Sequence, residues 1–309
     1  MFRRALITDE VSQDPAEGVR LAQRFGLDGI ELRSAWERQP HQLARDQVRA
    51  LRRMTDDHRL AVCAVATPVF KCALGDRDAI REHVEILKRC LDTCGELDAP
   101  YARVFTFWKP GAPGAPADAG PPRPWEDVRS AIADRLAEAA DVAVDFGRRL
   151  VVEHEPSVCG SSATRVAELL ERIGHPALGA LWDPGNTAYD PAGEPPYPES
   201  YEILKPYLWH VHIKDANRNP TTGTLEAVAL GDGQIPYRDI FRRLLDDRYA
   251  EFASLETHYR AGGALTEETA RLPGGTAFSA GGLEASILCL RRWAQMLAAL
   301  GVEVPEGDG

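Results

Sequence analysis

The 309-residue chain reads as an α/β protein, a single-domain (β/α)8 barrel over residues 1–309 with extended loops after its strands. Three observations predict this. Short runs rich in Val, Ile, Leu and aromatics alternate with longer amphipathic stretches, eight of each in strict order. Such alternation calls for parallel strands joined by crossover helices. Eight units is also the number that closes the sheet, in a fold that takes about 250 residues. Finally, the first strand runs into Thr8-Asp9-Glu10-Val11-Ser12-Gln13-Asp14-Pro15, without glycine. A doubly wound open sheet usually has a glycine-rich phosphate turn there.

The strands are expected at 5–9, 29–33, 60–66, 102–107, 150–155, 178–183, 208–214 and 252–258. Helices are expected at 16–25, 43–58, 79–96, 125–146, 163–173, 198–207, 237–245 and 283–300. The surplus length falls in Pro/Gly- and turn-rich insertions at about 109–124, 190–198, 215–233 and 260–282. No internal repeat or interdomain linker stands out.

Lys plus Arg number 36 and Asp plus Glu 47, a net charge of −11, so no nucleic-acid partner is expected, because backbone binding needs a basic surface. A hydrophobic fraction of 44% with 27% charged residues excludes disorder as the main state. No apolar run approaches the roughly 20 residues a spanning helix needs, so no membrane partner is expected. Six scattered cysteines without a Cys-x-x-Cys pair fit core fillers in a reduced cytoplasmic setting.

In barrels of this kind the chemistry sits where strands end. Here they end in Glu31, in Glu153-His154-Glu155, in Asp183-Pro184-Gly185-Asn186, in His210-Val211-His212-Ile213-Lys214 and in Glu256-Thr257-His258. Strand alternation puts Trp209, Val211 and Ile213 in one outward apolar row and His210 and His212 in the inward row. By the same reasoning Glu153, Asp183 and Glu256 face inward. Three converging carboxylates would repel one another unless some hold protons or a divalent cation neutralises them. The histidine among them favours the cation, and an O3N donor set suits Mn2+, Mg2+ or Zn2+.

On these motifs, together with Gly231-Asp232-Gly233, the whole chain resembles the sugar phosphate isomerase/epimerase family of the xylose isomerase-like TIM barrel superfamily, AP endonuclease family 2 type. The resemblance implies that Glu153, Asp183, His212 and Glu256 bind one divalent ion. Mn2+ is the first expectation, with Mg2+, Zn2+ or Co2+ as the others. It further implies that Glu153 and Glu256 are catalytic and move protons, and that Arg218, six residues after His212, contacts substrate. A homo-oligomer is compatible with it. Two positions depart from the family pattern. Cys159 stands six residues past Glu153, where ketose epimerases have a further glutamate, and Asn186 stands where several relatives have histidine. The second departure removes a ligand that a three-metal nuclease site needs.

The function implied is a metal-dependent isomerase or epimerase acting on a small sugar, keto-sugar or polyol through proton abstraction beside a carbonyl. A dehydratase or lyase on a keto-sugar or keto-glycoside would share the first step. A non-catalytic sugar-binding barrel is the alternative of another class. Further substrate-binding candidates are Glu31, Lys71, Trp108, Glu155, Asn186, His210, Lys214 and His258. Each also has a plain structural reading. Glu31 would pair with Arg33 and Lys214 with Asp215, Glu155 and His258 would be solvated beyond their strands, and Trp108 would wall the pocket or fill core.

Overall fold

The computed structural model describes residues 1–112, 115–117, 119–189, 193–218, 225–261 and 276–307. Ten strands are present among the described residues: β1 (Arg3–Ile7), β2 (Gly29–Leu32), β3 (Ala61–Ala66), β4 (Tyr101–Val104), β5 (Arg149–Glu153), β6 (Leu178–Trp182), β7 (Leu208–Ile213), β8 (Asp215–Arg218), β9 (Leu225–Val228) and β10 (Phe252–Leu255). The long helices between them are α1 (Pro15–Arg24), α2 (Arg45–Asp57), α3 (Arg77–Leu97), α4 (Trp125–Asp145), α5 (Ala163–Ile173) and α8 (Tyr237–Asp246), with shorter α6 (Pro184–Tyr189) and α7 (Glu199–Leu204). Two more, α9 (Thr276–Ser279) and α10 (Gly282–Ala298), follow β10. Strands β1–β7 and β10 close into a barrel in the order β1-β10-β7-β6-β5-β4-β3-β2, so the chain is a (β/α)8 barrel. No described helix is long and apolar enough to cross a membrane.

Local chemistry sets the helix ends. Asp14 accepts from the Ala16 amide and Pro15 opens α1, while Asp76 accepts from the Asp78 and Ala79 amides at the start of α3. Ser162 caps α5, which stops at Gly174 in the left-handed conformation. Such caps satisfy amides that the first turn leaves without partners.

Two compact units are distinguishable, Met1–Cys63 with Val211–Gly309, and Ala64–His210. In the first, β1 pairs with β10 and β2, placing Ile7 beside Glu31. Two features here were not anticipated. The 215–233 insertion forms an antiparallel hairpin, β8–β9, and the Asp215 carboxylate is wrapped by the turn behind it. Gly231 and Gly233 amides donate to its Oδ2 at 2.8 and 3.1 Å, and the Ala216 amide to Oδ1 at 2.9 Å. The Gly231-Asp232-Gly233 motif is therefore a cradle for Asp215, and a Cβ on Gly233 would overlap that carboxylate. Residues 219–224, and 262–275 of the insertion after the last barrel strand, lie outside the described set, as do 190–192.

In the second unit β3 to β6 pair in sequence, with Arg103 beside Val151 and Glu153 beside Leu181. Trp209 corrects the expected alternation. It packs against Tyr101, Val151 and Leu181 rather than lying in an outward row. Its indole stacks on the Tyr101 ring at 5.9 Å, and the Arg149 guanidinium lies 5.0 Å from it. Gly179 makes this arrangement work, because a Cβ there would run into the indole. A large ring at the start of β7 takes the volume that a bare glycine on β6 leaves open.

Gly179→Ala is expected to lose about 1–3 kcal/mol of stability, the usual cost of overpacking. Gly95→Ala, in α3 with open space around it, should instead gain about 0.5–1 kcal/mol. Urea unfolding midpoints of the two variants test the contrast.

Candidate functional site

The strand ends deliver the side chains. In the first unit, β2 presents Glu31 and then Arg33, β7 presents His212 and then Lys214, and Glu256 follows β10 directly. All five are buried. Glu31 Oε1 lies 3.0 Å from His212 Nε2, and Glu256 Oε2 lies 3.6 Å from His212 Nδ1. The expected Glu31–Arg33 pair gives way to other partners. Arg33 reaches Asp9 at 3.0 Å, Glu10 at 2.6 Å and Glu256 at 2.7 Å. Lys214 likewise turns to Glu256 at 2.6 Å, since the Gly231-Asp232-Gly233 turn already satisfies Asp215.

The electrostatics follow from burial and these contacts. Burial alone would raise the Glu256 carboxyl, but the Lys214 ammonium, followed by His258 and His212, holds it well below the usual carboxylate range. Glu10 is lowered in the same way, as Arg33, His258 and Arg260 outweigh its burial. Asp9 rises, because there burial prevails over Arg33. Arg33 itself stays cationic, its three carboxylate neighbours overcoming its own desolvation.

His258 is buried, contrary to the solvated reading. Its Nε2 lies 3.3 Å from Glu10 and 3.4 Å from Glu256, and its amide donates to Glu10 Oε2 at 3.1 Å. Burial drives its imidazole down to about 4, against the pull of Glu256 and Glu10, so it is neutral at pH 7. With φ at +44° it occupies the left-handed region, which costs a residue with a Cβ about 1–2 kcal/mol. The bond to Glu10 holds it there.

In the second unit β5 ends in Glu153, and Asp183 follows β6 at the threshold of α6. Glu153 Oε2 pairs with Arg103 at 2.9 Å and its Oε1 accepts from Asn186 Nδ2 at 2.8 Å. Asn186 also donates to the His154 carbonyl at 3.0 Å, and its amide donates to Asp183 Oδ1 at 3.0 Å. Asn186 therefore links Glu153 and Asp183. The Asp183 amide donates to His154 Nε2 at 3.2 Å, so this ring nitrogen is unprotonated. Glu155 is buried and paired, again contrary to the solvated reading. It holds Lys71 at 3.2 Å and accepts from Ser157 Oγ at 2.5 Å. The Lys71 ammonium lies 4.4 Å from the Phe105 ring centre and 5.4 Å from that of Trp108. Lys71, Glu155 and Trp108 thus form one group.

Among the described residues of the first unit, Glu10, Glu256 and His258 each place a donor atom that suits a cation within 4.8 Å of the others. In the second unit His210, on β7, is buried. Arg218, by contrast, is exposed at the end of the β8–β9 hairpin.

Sequence reasoning missed Arg33, Arg103, Asp9, Glu10 and Arg260, whose Nη2 lies 3.0 Å from Glu10. The signal for two of them was present. Arg33 shares the alternation of Glu31, and Arg103 is the lone charge in the apolar strand Tyr101-Ala102-Arg103-Val104. An arginine in the inward row of a buried strand implies a buried acid opposite it.

Comparison with known proteins agrees with the geometry. The family described as a xylose isomerase-like TIM barrel matches residues 19–274. Fructoselysine 3-epimerase of Shigella flexneri is 23% identical over 249 residues, which is 77% of this chain and 83% of its own. Among solved structures, an IOLI protein with a bound zinc atom superposes with a TM-score of 0.72 at 16% identity, covering 96% of this chain and 99% of that one. D-allulose 3-epimerase from Methylomonas sp., in complex with D-allulose, gives a TM-score of 0.66 at 16% identity, over 92% and 95% of the two chains.

Arg33→Met is expected to cost roughly 3–5 kcal/mol near neutral pH, the penalty for stripping a buried carboxylate of its cation. The deficit should shrink as pH falls toward 5, because carboxylates that lose a cation bind protons more readily when folded. Denaturant titrations at the two pH values check both the size and the sign.

Proposed function

Because this chain belongs to the xylose isomerase-like TIM barrel family, we propose that it is a divalent-metal-dependent isomerase or epimerase of a small sugar, keto-sugar or polyol. The observation that carries the proposal is the set Glu153, Asp183, His212 and Glu256. These close four barrel strands that are consecutive in space, β5, β6, β7 and β10, and all four are at most 3% exposed. Within the first unit Glu256 Oε2 lies 3.6 Å from His212 Nδ1, and within the second Asn186 donates to both Asp183 and Glu153. Metal–ligand distances of about 2.0–2.3 Å limit the separation of two ligands on one ion to about 4.6 Å, a span that the Glu256–His212 pair meets. Three carboxylate oxygens and one imidazole suit Mn2+, with Mg2+, Zn2+ and Co2+ as the other candidates. Zinc is bound by one structural neighbour, and the relatives at hand include sugar epimerases.

When bound, such an ion supplies Lewis-acid polarisation of a substrate carbonyl and lowers the cost of placing charge beside it. The protein's own residues do the rest. Glu256, kept ionised by Lys214 and Arg33, is suited to remove the proton from carbon next to the carbonyl. Glu153, oriented by Arg103 and Asn186, is suited to return one from the other side of the substrate for epimerisation, or at the neighbouring carbon for isomerisation. Proton transfer by a positioned side chain contributes about 10²–10⁴ in rate. Neutral His258, with Lys214, Glu31 and His210, offers hydrogen bonds to substrate hydroxyls. Lys71, Trp108 and Glu155 bind its far end, and Arg218 completes the contacts from the hairpin.

The purified protein is expected to carry one divalent ion per chain by elemental analysis, and Asp183→Asn should lose it. Incubating keto-sugars in D2O with metal-replete protein should place deuterium on the α-carbon. Glu153→Gln and Glu256→Gln should each slow that exchange by about 10²-fold or more. A metal-free preparation together with a Glu256→Gln variant of unchanged behaviour would overturn the proposal.

A further inference from the structure

Beside Trp108 lies a cavity that the isomerase reading touches only through that one side chain. It has a volume of about 310 Å3 and is built from the segments that follow β3, β4 and β5, together with the start of α4. Small-molecule sites run from about 300 Å3 upward, so the space holds one ring with a short substituent. Its lining is mostly apolar, with Trp108, Trp125 and Val128 among the residues. The described residues that line it also include three charged side chains, Lys109, Arg123 and Arg165, and all three are cations. Three cations at one apolar cavity stand out in a chain with a net charge of −11.

Hydrogen bonds and ring contacts hold Arg165, Trp125 and Trp108 in place. The Arg165 guanidinium lies over the Trp125 ring, 5.1 Å from its centre, and Nη1 donates to the Cys159 carbonyl at 2.9 Å. The Trp125 indole N–H donates to Glu168 at 2.7 Å, which sets the plane of the ring. Glu168 also pairs with Arg129 and is not among the described residues that line the cavity. Trp108 is tethered from both sides, its amide donating to the Cys72 carbonyl at 2.9 Å and its carbonyl accepting from Cys159 Sγ at 3.4 Å.

We infer that this cavity is a binding site for an aromatic carboxylate, the ring lying among Trp108, Trp125 and Val128 and the acid meeting Lys109, Arg123 and Arg165. Flat aromatic walls favour an aromatic guest, and guanidinium groups pair with carboxylates in a bidentate fork. As the place where a substrate carries an acidic aromatic substituent, the site rests on the enolisation reading through Lys71, which lies near Trp108. As a site for the aromatic acid alone it is independent of that reading.

The test is calorimetric titration of the full chain with benzoate, and with benzyl alcohol as a neutral twin of similar shape. Benzoate should bind at least about tenfold more tightly than benzyl alcohol, a difference of about 1.4 kcal/mol. Lys109→Ala and Arg123→Ala should each weaken benzoate severalfold while leaving benzyl alcohol unchanged, and Trp108→Ala should weaken both. Equal affinity for the two probes, no heat with either, or benzoate binding indifferent to all three substitutions would overturn the inference. Since the readout is binding, its failure is distinct from failure of deuterium exchange, which would sink the isomerase reading alone.

Discussion

Buried carboxylates at the ends of the barrel strands are the constraint around which this molecule is organised. Glu10, Glu31, Glu153, Asp183 and Glu256 are each almost wholly removed from water. An ionised carboxylate costs several kcal/mol to bury even after relaxation, so each needs a matching charge or a set of donors. Arg33 meets three acids at once, Lys214 and Arg33 share Glu256, and Arg103 with Asn186 holds Glu153. Glu10 and Glu256 are held below the usual carboxylate range by the cations built in beside them.

That arrangement explains a division of labour among the polar residues. The arginines lie in strands and at strand ends, where the backbone is stiff and the guanidinium fork can satisfy two oxygens in fixed directions. The histidines take a different part. His258 is held neutral by burial, and His154 receives a backbone amide on Nε2, so neither adds positive charge. Near pH 7 the charges beside Glu256 are those of Lys214 and Arg33, and the His258 imidazole is a neutral donor or acceptor.

The peripheral turns serve the same end. The hairpin formed by Asp215–Arg218 and Leu225–Val228 begins with an acid whose oxygens are taken up by backbone amides of Ala216, Gly231 and Gly233. With Asp215 satisfied in this way, Lys214 turns toward Glu256. On the other side of the sequence, Glu155 draws in Lys71, and Phe105 and Trp108 gather around that ammonium. Each loop thus carries a polar anchor that decides which charged group reaches the strand ends.

The order of elements was legible in the sequence, because the hydrophobic period of a helix or a strand is a local property. So were the acids and histidines that end the strands, since alternation along a strand assigns each residue to a face. Glu153, Asp183, His212 and Glu256 needed nothing more to be singled out. What the tertiary structure decided was pairing. Whether Arg33 serves Glu31 or Glu256, whether Lys214 serves its neighbour or a residue on another strand, and whether Glu155 and His258 meet water all depend on which side chains from distant segments compete for the same few ångströms. The same holds for Trp209, whose place was set by the space above Gly179 rather than by its position in the run. Local period is written along the chain, but the partner of a buried charge is chosen by desolvation cost among groups brought together only by folding.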